Sequence, residues 1–193
     1  MTDEQIRVFV AIELPDDARL SLVRIQKELQ SAIPVGVKWV RPEGIHLTLK
    51  FLGNVPSSFL PRLRTAVVAG SRNIQAFSLT VSGLGVFPDR NRPRVIWAGL
   101  AGDVPTLLNL QEGVDAAIST LGFARETRPY SAHLTLGKVQ ETATLVERHK
   151  IVAALDLAQV APVDLLATGS VSVMQSNLTP EGAIYSRIVA IAL

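Results

Sequence analysis

Histidine is scarce in this chain, three residues in 193, yet two of the three sit inside one duplicated phrase. Arg41-Pro42-x-x-x-His46-Leu47-Thr48-Leu49 returns as Arg128-Pro129-x-x-x-His133-Leu134-Thr135-Leu136, 87 residues later (133 − 46). From average composition a given His-Leu-Thr-Leu is expected roughly once per 100,000 positions, so the repetition marks two related halves and not a coincidence. Both phrases have the character of strands, in which residues two apart share a face. His46 and Thr48 then point one way and Leu47 and Leu49 the other, into a core; His133 and Thr135 stand against Leu134 and Leu136 in the same manner. If a pseudo-twofold axis relates the halves, two imidazoles and two hydroxyls line one cleft.

That set of groups suits acid–base chemistry. Imidazole titrates near 6.5, so at neutral pH one ring can be neutral and its partner protonated. One removes a proton while the other delivers one, and threonine hydroxyls donate hydrogen bonds to anionic oxygens without adding charge. Acid, base and oxyanion donors together suit in-line displacement at phosphorus. A cyclic phosphodiester fits well, because water attacks and the departing ring oxygen must be protonated. The symmetry of the two phrases does not say which histidine is acid and which is base.

Blander readings compete with this one. Threonine on a strand often reflects β propensity alone. A duplicated strand without chemistry, however, would pack more easily with apolar residues at the histidine sites, since buried polar groups cost free energy unless paired. Two histidines and a carboxylate could also hold iron or zinc. Yet neither His-Leu-Thr-Leu phrase contains an acid, and the nearest, Glu43, Glu126 and Glu141, lie outside both. His149 sits in a polar helical stretch and is expected to face solvent. The chain has no cysteine, which excludes a thiol nucleophile, a disulfide scaffold and cysteine-based metal sites. It carries no Gly-x-Ser-x-Gly elbow, Walker A phrase or dinucleotide fingerprint. No metal and no cofactor are expected.

The elements that must carry these residues follow from periodicity. Ile6, Val8, Val10 and Ile12 alternate in a first strand, and Leu22, Ile25 and Leu29 form the buried stripe of a helix from about Pro15 to Ile33. Short strands follow at Val37–Val40 and Ile45–Leu52. A helix runs to about Val68, with Ser57 or Ser58 as its cap. Phe77, Leu79 and Val81 begin another strand, interrupted by Gly83 and Gly85, and Arg94–Leu100 forms the next. A long helix stops at Gly122; a strand spans Ser131–Val139 and a weaker helix Thr142–Leu155. The tail reads as two strands, Val163–Gln175 and Ala183–Ala190, joined by a turn at Asn177–Gly182. The pattern is α+β without a linker, a single domain over residues 1–193.

Composition narrows the partners. Nineteen Lys+Arg against 17 Asp+Glu leave a net charge of +2, small for a protein that grips long nucleic acid through its backbone, and so in favour of short or terminal substrates. Six arginines fall between Arg62 and Arg94 with one acid, Asp89, which makes either a solvated surface or a phosphate-contacting rim. The first residues lack a basic segment before an apolar run, and no window of about 18 apolar residues appears. A cytoplasmic protein without membrane contact, acting as a monomer, is expected.

The paired His-x-Thr-x phrases resemble the 2H phosphoesterase superfamily. More narrowly, the chain is similar to the RNA 2′,3′-cyclic phosphodiesterases, also called 2′-5′ RNA ligases. Arg7–Ile12, Trp39-Val40, His46–Gly53, Gly85–Pro88, Pro93–Trp97, Ser176–Gly182 and Tyr185 share in the resemblance. It implies a bilobal duplicated fold, two antiparallel sheets facing a central cleft with helices outside. It also implies metal-independent hydrolysis of an RNA-terminal 2′,3′-cyclic phosphate to a 2′-phosphate, and a related 2′-5′ joining activity, with RNA ends or cyclic nucleotides as partners. Carried onto this sequence, His46 is the proton donor, His133 the proton acceptor, Thr48 and Thr135 hold the phosphate, and Phe51 and Lys138 bind the substrate, Phe51 by stacking on the terminal base. Lys138 stands where relatives carry arginine and Ala132 where they carry proline, which puts base affinity and substrate preference in question. Two alternatives stay open: an esterase for a small cyclic phosphate such as ADP-ribose 1″,2″-cyclic phosphate, and a non-catalytic RNA-end or nucleotide binder.

Overall fold

Nine strands and four α-helices alternate along the chain in a computed structural model that describes residues 3–158, 163–180 and 182–193. The first strand, β1 (Gln5–Glu13), is central. Its Ile6, Val8, Val10 and Ile12 face the main core as their alternation requires, while Phe9 and Ala11 enter a second cluster with Met174 on the opposite face. Helix α1 (Asp16–Ala32) buries Leu22, Ile25 and Leu29 on that core. From the same helix Gln26 Nε2 donates to the carbonyls of Val40 (2.9 Å) and Leu136 (2.8 Å), so a satisfied polar side chain ties the end of one strand and the middle of another to the helix.

The remaining elements are β2 (Val37–Trp39), β3 (His46–Pro56), α2 (Leu60–Gly70), β4 (Phe77–Phe87), β5 (Val95–Gly102), α3 (Val104–Ser119), β6 (His133–Val139), α4 (Leu145–Leu157), β7 (Val163–Thr168), β8 (Ser170–Thr179) and β9 (Gly182–Ala192). All pairings are antiparallel. One half of the sheet contains β3, β1, β8 and β9; the other contains β7, β4, β5 and β6, with β2 also paired to β6. The halves meet where Leu47 of β3 pairs with Leu134 of β6. The two expected sheets are thus the halves of one nine-stranded sheet. Helices α2 and α3 cross at bare backbone: a Cβ placed on Gly113 would lie 2.3 Å from the Gly70 carbonyl oxygen.

Local expectations needed correction in three places, one of them β4, which runs through Gly83 and Gly85 as one strand with a register shift between Val81 and Leu84 and no interruption. The single strand expected over Val163–Gln175 is two, with Gly169 between β7 and β8, and β8 runs on to Thr179, so the following turn is shorter than expected. Ser57 and Ser58 do not cap α2: both hydroxyls donate to the Asp3 carboxylate, and the helix starts after a 3-10 turn over Ser57–Phe59. The Asp3 carboxylate, just before β1, also accepts from the Ser58 N–H at 3.2 Å and so serves this turn as an acceptor in place of the serine hydroxyls. The α4 start does carry a cap, a reciprocal box between Thr144 and Glu147. No helix among the described residues is long and apolar enough to cross a membrane.

Candidate active site

The Leu47–Leu134 pair organises the site. Because β3 and β6 run antiparallel about it, His46 falls opposite Thr135 and Thr48 opposite His133. Leu47 and Leu134 are 1% and 0% exposed and belong to the helix-covered core, a burial worth about 1.5–3 kcal/mol for each side chain. His46, Thr48, His133 and Thr135 are half-buried on the other face. The four polar residues expected to converge do so, and their arrangement is diagonal.

Each phrase is followed by an irregularity that the alternating pattern does not show. Val10 pairs with Lys50 but Ala11 with Thr48, so β3 carries an extra residue, Leu49. Ile96 pairs with Gly137 but Trp97 with Thr135, so β6 carries an extra residue, Leu136. A β-bulge reverses which side chains point to which face. Lys50 therefore turns inward, and Phe51 comes onto the face of His46 and Thr48. On β6 the same device brings out Lys138. Phe51 is 68% exposed, its ring 5.9 Å from that of Phe9, at an end of the cleft shared with Thr48, Phe87, Tyr130 and His133. Lys138 lies in a different recess, beside Lys38, Arg41 and Tyr185. Phe51 and Lys138 thus belong to separate recesses.

Both imidazoles are held alike. His133 Nδ1 lies 2.7 Å from the carbonyl of Ser131, two residues back, which leaves Nε2 free for the cleft when Nδ1 carries the proton. The carbonyl of Gly44, again two residues back, lies near the His46 ring and favours its cation. Each ring also meets an aromatic edge: Tyr185 lies 4.9 Å from His46 at 81°, and Phe87 lies 4.9 Å from His133 at 83°. Phe9 packs at 4.7 Å against His46. The Tyr130 hydroxyl donates to the Thr48 carbonyl at 2.8 Å, and burial pushes its pKa up, so it stays a donor.

The electrostatics of the rings differ. Burial is the largest influence on His46 and lowers its pKa to about 4, against the Gly44 carbonyl and Glu13 carboxylate, which favour the cation; His133 opposes it further. Glu13 is the ladder partner of His46, whereas the partner of His133 is Gly99. A side chain at Gly99 is barred, since a Cβ there would sit 2.6 Å from the Ser82 carbonyl oxygen. Glu13 accepts from Arg187 at 2.7 and 3.0 Å and from Ser172 at 2.5 Å. Burial pushes its carboxyl up, but Arg187 and Ser172 outweigh this and hold it below its ordinary value.

Behind Phe51, the inward-turned Lys50 donates to Asp115 of α3 and, at 2.7 Å, to the carbonyl of Ala124. Burial raises the Asp115 pKa, but Lys50 and Arg125 lower it more, so the group is an ionised partner. Asp115 also accepts from the Glu126 N–H at 3.4 Å, which ties down the loop that leads to Arg128-Pro129.

Sequence reasoning did not single out Phe9, Tyr185, Phe87, Tyr130 or Glu13 as site residues. Phe9, Phe87 and Tyr185 fall in stretches of general resemblance and Glu13 and Tyr130 in none, because their strands or loops reach the histidines through tertiary pairing. The arginine run is divided between surfaces: Arg62 stacks 5.5 Å over Phe59, and Arg90 is paired with Asp156 of α4. His149 is exposed, as expected. Among the described residues no three His, Asp or Glu side chains gather as a metal-binding group.

Comparison with known proteins agrees with this architecture. The family described as LigT like Phosphoesterase matches residues 12–97. An RNA 2′,3′-cyclic phosphodiesterase of Methanothermobacter thermautotrophicus is 35% identical over 94% of this chain and 96% of its own. Among solved structures, TT0787 of Thermus thermophilus superposes with a TM-score of 0.76 at 27% identity, covering 97% of this chain and 98% of that one. Escherichia coli LigT complexed with 3′-AMP shares the fold, with a TM-score of 0.74 at 23% identity and 98% and 99% coverage. With a relative so similar over nearly its whole length and the duplicated His-x-Thr-x strands meeting at one pair, this chain belongs to the LigT-like phosphoesterases of the 2H superfamily.

Proposed function

We propose that this phosphoesterase opens the 2′,3′-cyclic phosphate at an RNA end to leave a 2′-phosphate, using its two histidines as acid and base. The observation that carries the proposal is the gathering of His46, Thr48, His133 and Thr135 on one face about the Leu47–Leu134 pair. His133 takes a proton from water as its oxygen attacks phosphorus. The bond from phosphorus to O3′ breaks, and His46 gives its proton to O3′. Thr48 and Thr135 hold the non-bridging oxygens, on which negative charge accumulates. A ribose 5′-hydroxyl in place of the water turns the same displacement into 2′-5′ joining, again with loss of O3′ from phosphorus. No step uses a metal ion.

The unequal ladder partners support His46 as the acid. A carboxylate beside an imidazole favours its cation, and only His46 has one there. In the free protein burial still keeps His46 neutral at pH 7. The anionic cyclic phosphate works in the same direction as Glu13 and brings the proton onto the ring as it binds. The protein therefore acts through a minor protonation state of the coupled pair.

The pH dependence of kcat/KM follows. Above about 4 the His46 ring of the free protein is neutral; below it that ring takes up a proton and the pair no longer shares a single one, as acid–base exchange between the two rings requires. The profile on a cyclic mononucleotide is expected to be bell-shaped, with an acid limb near 4 instead of near the 6.5 of an ordinary imidazole. A second limb falls where the remaining proton is lost. A profile flat to both sides from acid to alkaline pH overturns the paired-imidazole mechanism. The function itself is tested by product analysis on a cyclic-phosphate-ended oligonucleotide and a cyclic mononucleotide, with and without excess chelator. A 2′-phosphate product formed equally in both conditions is expected. Activity lost in chelator and restored by a divalent ion overturns the metal-free route.

A further inference from the structure

Lys38 of β2 and Lys138 of β6 are paired directly across an antiparallel ladder, and both are exposed. Like charges so placed destabilise a sheet. A third cation, Arg41, lines the same recess, and among the described residues none of the three forms an ion pair. Gly182, the first residue of β9, lies against them: a Cβ there would lie 4.0 Å from Lys38 Nζ. The recess adjoins the histidine row, since Gly44 and Tyr185 also line it, and these are the residues whose carbonyl and ring edge meet His46.

The two ends of the cleft therefore offer different chemistry. Beyond His133 stand Phe51, Phe87 and Tyr130, aromatic surface suited to stacking a base. Beyond His46 stand three cations, suited to an anion. An RNA end with its cyclic phosphate between the histidines presents both features, a terminal base and the phosphodiester that links it to the preceding nucleotide. We propose that the recess of Lys38, Arg41 and Lys138 binds this phosphodiester, 5′ of the terminal nucleoside, so that the protein prefers an RNA end to a free cyclic mononucleotide. The inference rests on the RNA-end reading above and adds the direction in which the strand leaves the site. The anion relieves the repulsion between the opposed lysines.

The test compares kcat/KM on a dinucleotide ending in a 2′,3′-cyclic phosphate with kcat/KM on the corresponding cyclic mononucleoside phosphate, for the full chain and for Lys38→Ala, Lys38→Glu and Lys38→Arg. The unmodified protein is expected to favour the dinucleotide about tenfold, with a log–log salt dependence steeper by about one unit. Lys38→Ala removes most of that preference, Lys38→Glu removes all of it, and Lys38→Arg keeps it. Because Lys38 is exposed, thermal melting of each variant is expected to match or exceed that of the parent. Equal kcat/KM on the two substrates in the parent protein overturns the recess. So does a preference untouched by Lys38→Ala and Lys38→Glu, or an equal loss on both substrates. If the parent hydrolyses neither substrate, the RNA-end reading falls. Hydrolysis of both without dependence on Lys38 removes the recess alone.

Discussion

Alanine at His46 or at His133 is expected to lower turnover of a nucleoside 2′,3′-cyclic phosphate by about 10²–10⁴-fold in each case, the range for one general acid or base. Each ring faces the cleft and is half-buried, so the folded state survives its removal. Circular dichroism and melting within a few degrees of the parent are the control. The double variant should lose far less than the product of the single losses, because an acid without a base contributes little once the concerted transfer is broken. His46→Ala is also expected to abolish the acid limb near 4, whereas His133→Ala leaves a titrating ring at His46. A variant that keeps a rate within tenfold of the parent refutes the paired mechanism and favours a protein that only binds RNA ends. Measurement of kcat/KM and of binding to the reaction product in the same samples separates these outcomes.

The largest effect on stability is expected at Asp115, far in sequence from the phrase it supports. Lys50 is nine-tenths buried, and its ammonium has the Asp115 carboxylate and the Ala124 carbonyl for company. Asp115→Ala leaves that charge inside without its counter-ion, at a cost of about 3–5 kcal/mol. For a chain of this size that corresponds to a fall in melting temperature on the order of 10 °C. Lys50→Met combined with Asp115→Leu is expected to recover much of the loss, since two apolar side chains need no partner. Urea unfolding of the three proteins checks the order. A loss below about 1 kcal/mol for Asp115→Ala alone would show that solvent reaches the ammonium.

The reactive core of the site could be read from the chain alone because its information is local and written twice. Within His46–Leu49 and His133–Leu136, alternation alone separates the polar from the apolar side chains, and the structure agrees. The same rule fails one residue further on. It would send Lys50 to the cleft and Phe51 to the core, and only the bulge opposite Val10 reverses this, as the bulge opposite Ile96 does for Lys138. Resemblance pointed to Phe51 and Lys138, but not to their separation into different recesses. Glu13, Phe9, Phe87 and Tyr185 were not legible as site residues, since their approach to the histidines depends on pairing between distant segments. The break at Gly169 was missed for a related reason: an apolar run marks burial, and it does not mark where a strand changes neighbours.

The Leu47–Leu134 contact has a consequence for how such a protein can vary. A sheet shows alternate faces with every step along the strand, so a displacement of β6 by one residue against β3 would put Leu134 and Leu136 where His133 and Thr135 belong. The chemistry thus has a reading frame, held in phase by one pair of leucines and by the core on which they rest. Insertions of any length can be absorbed in the connections between strands. A single residue inserted between either histidine and its leucine would silence that half of the machinery while leaving almost every atom of the protein in place.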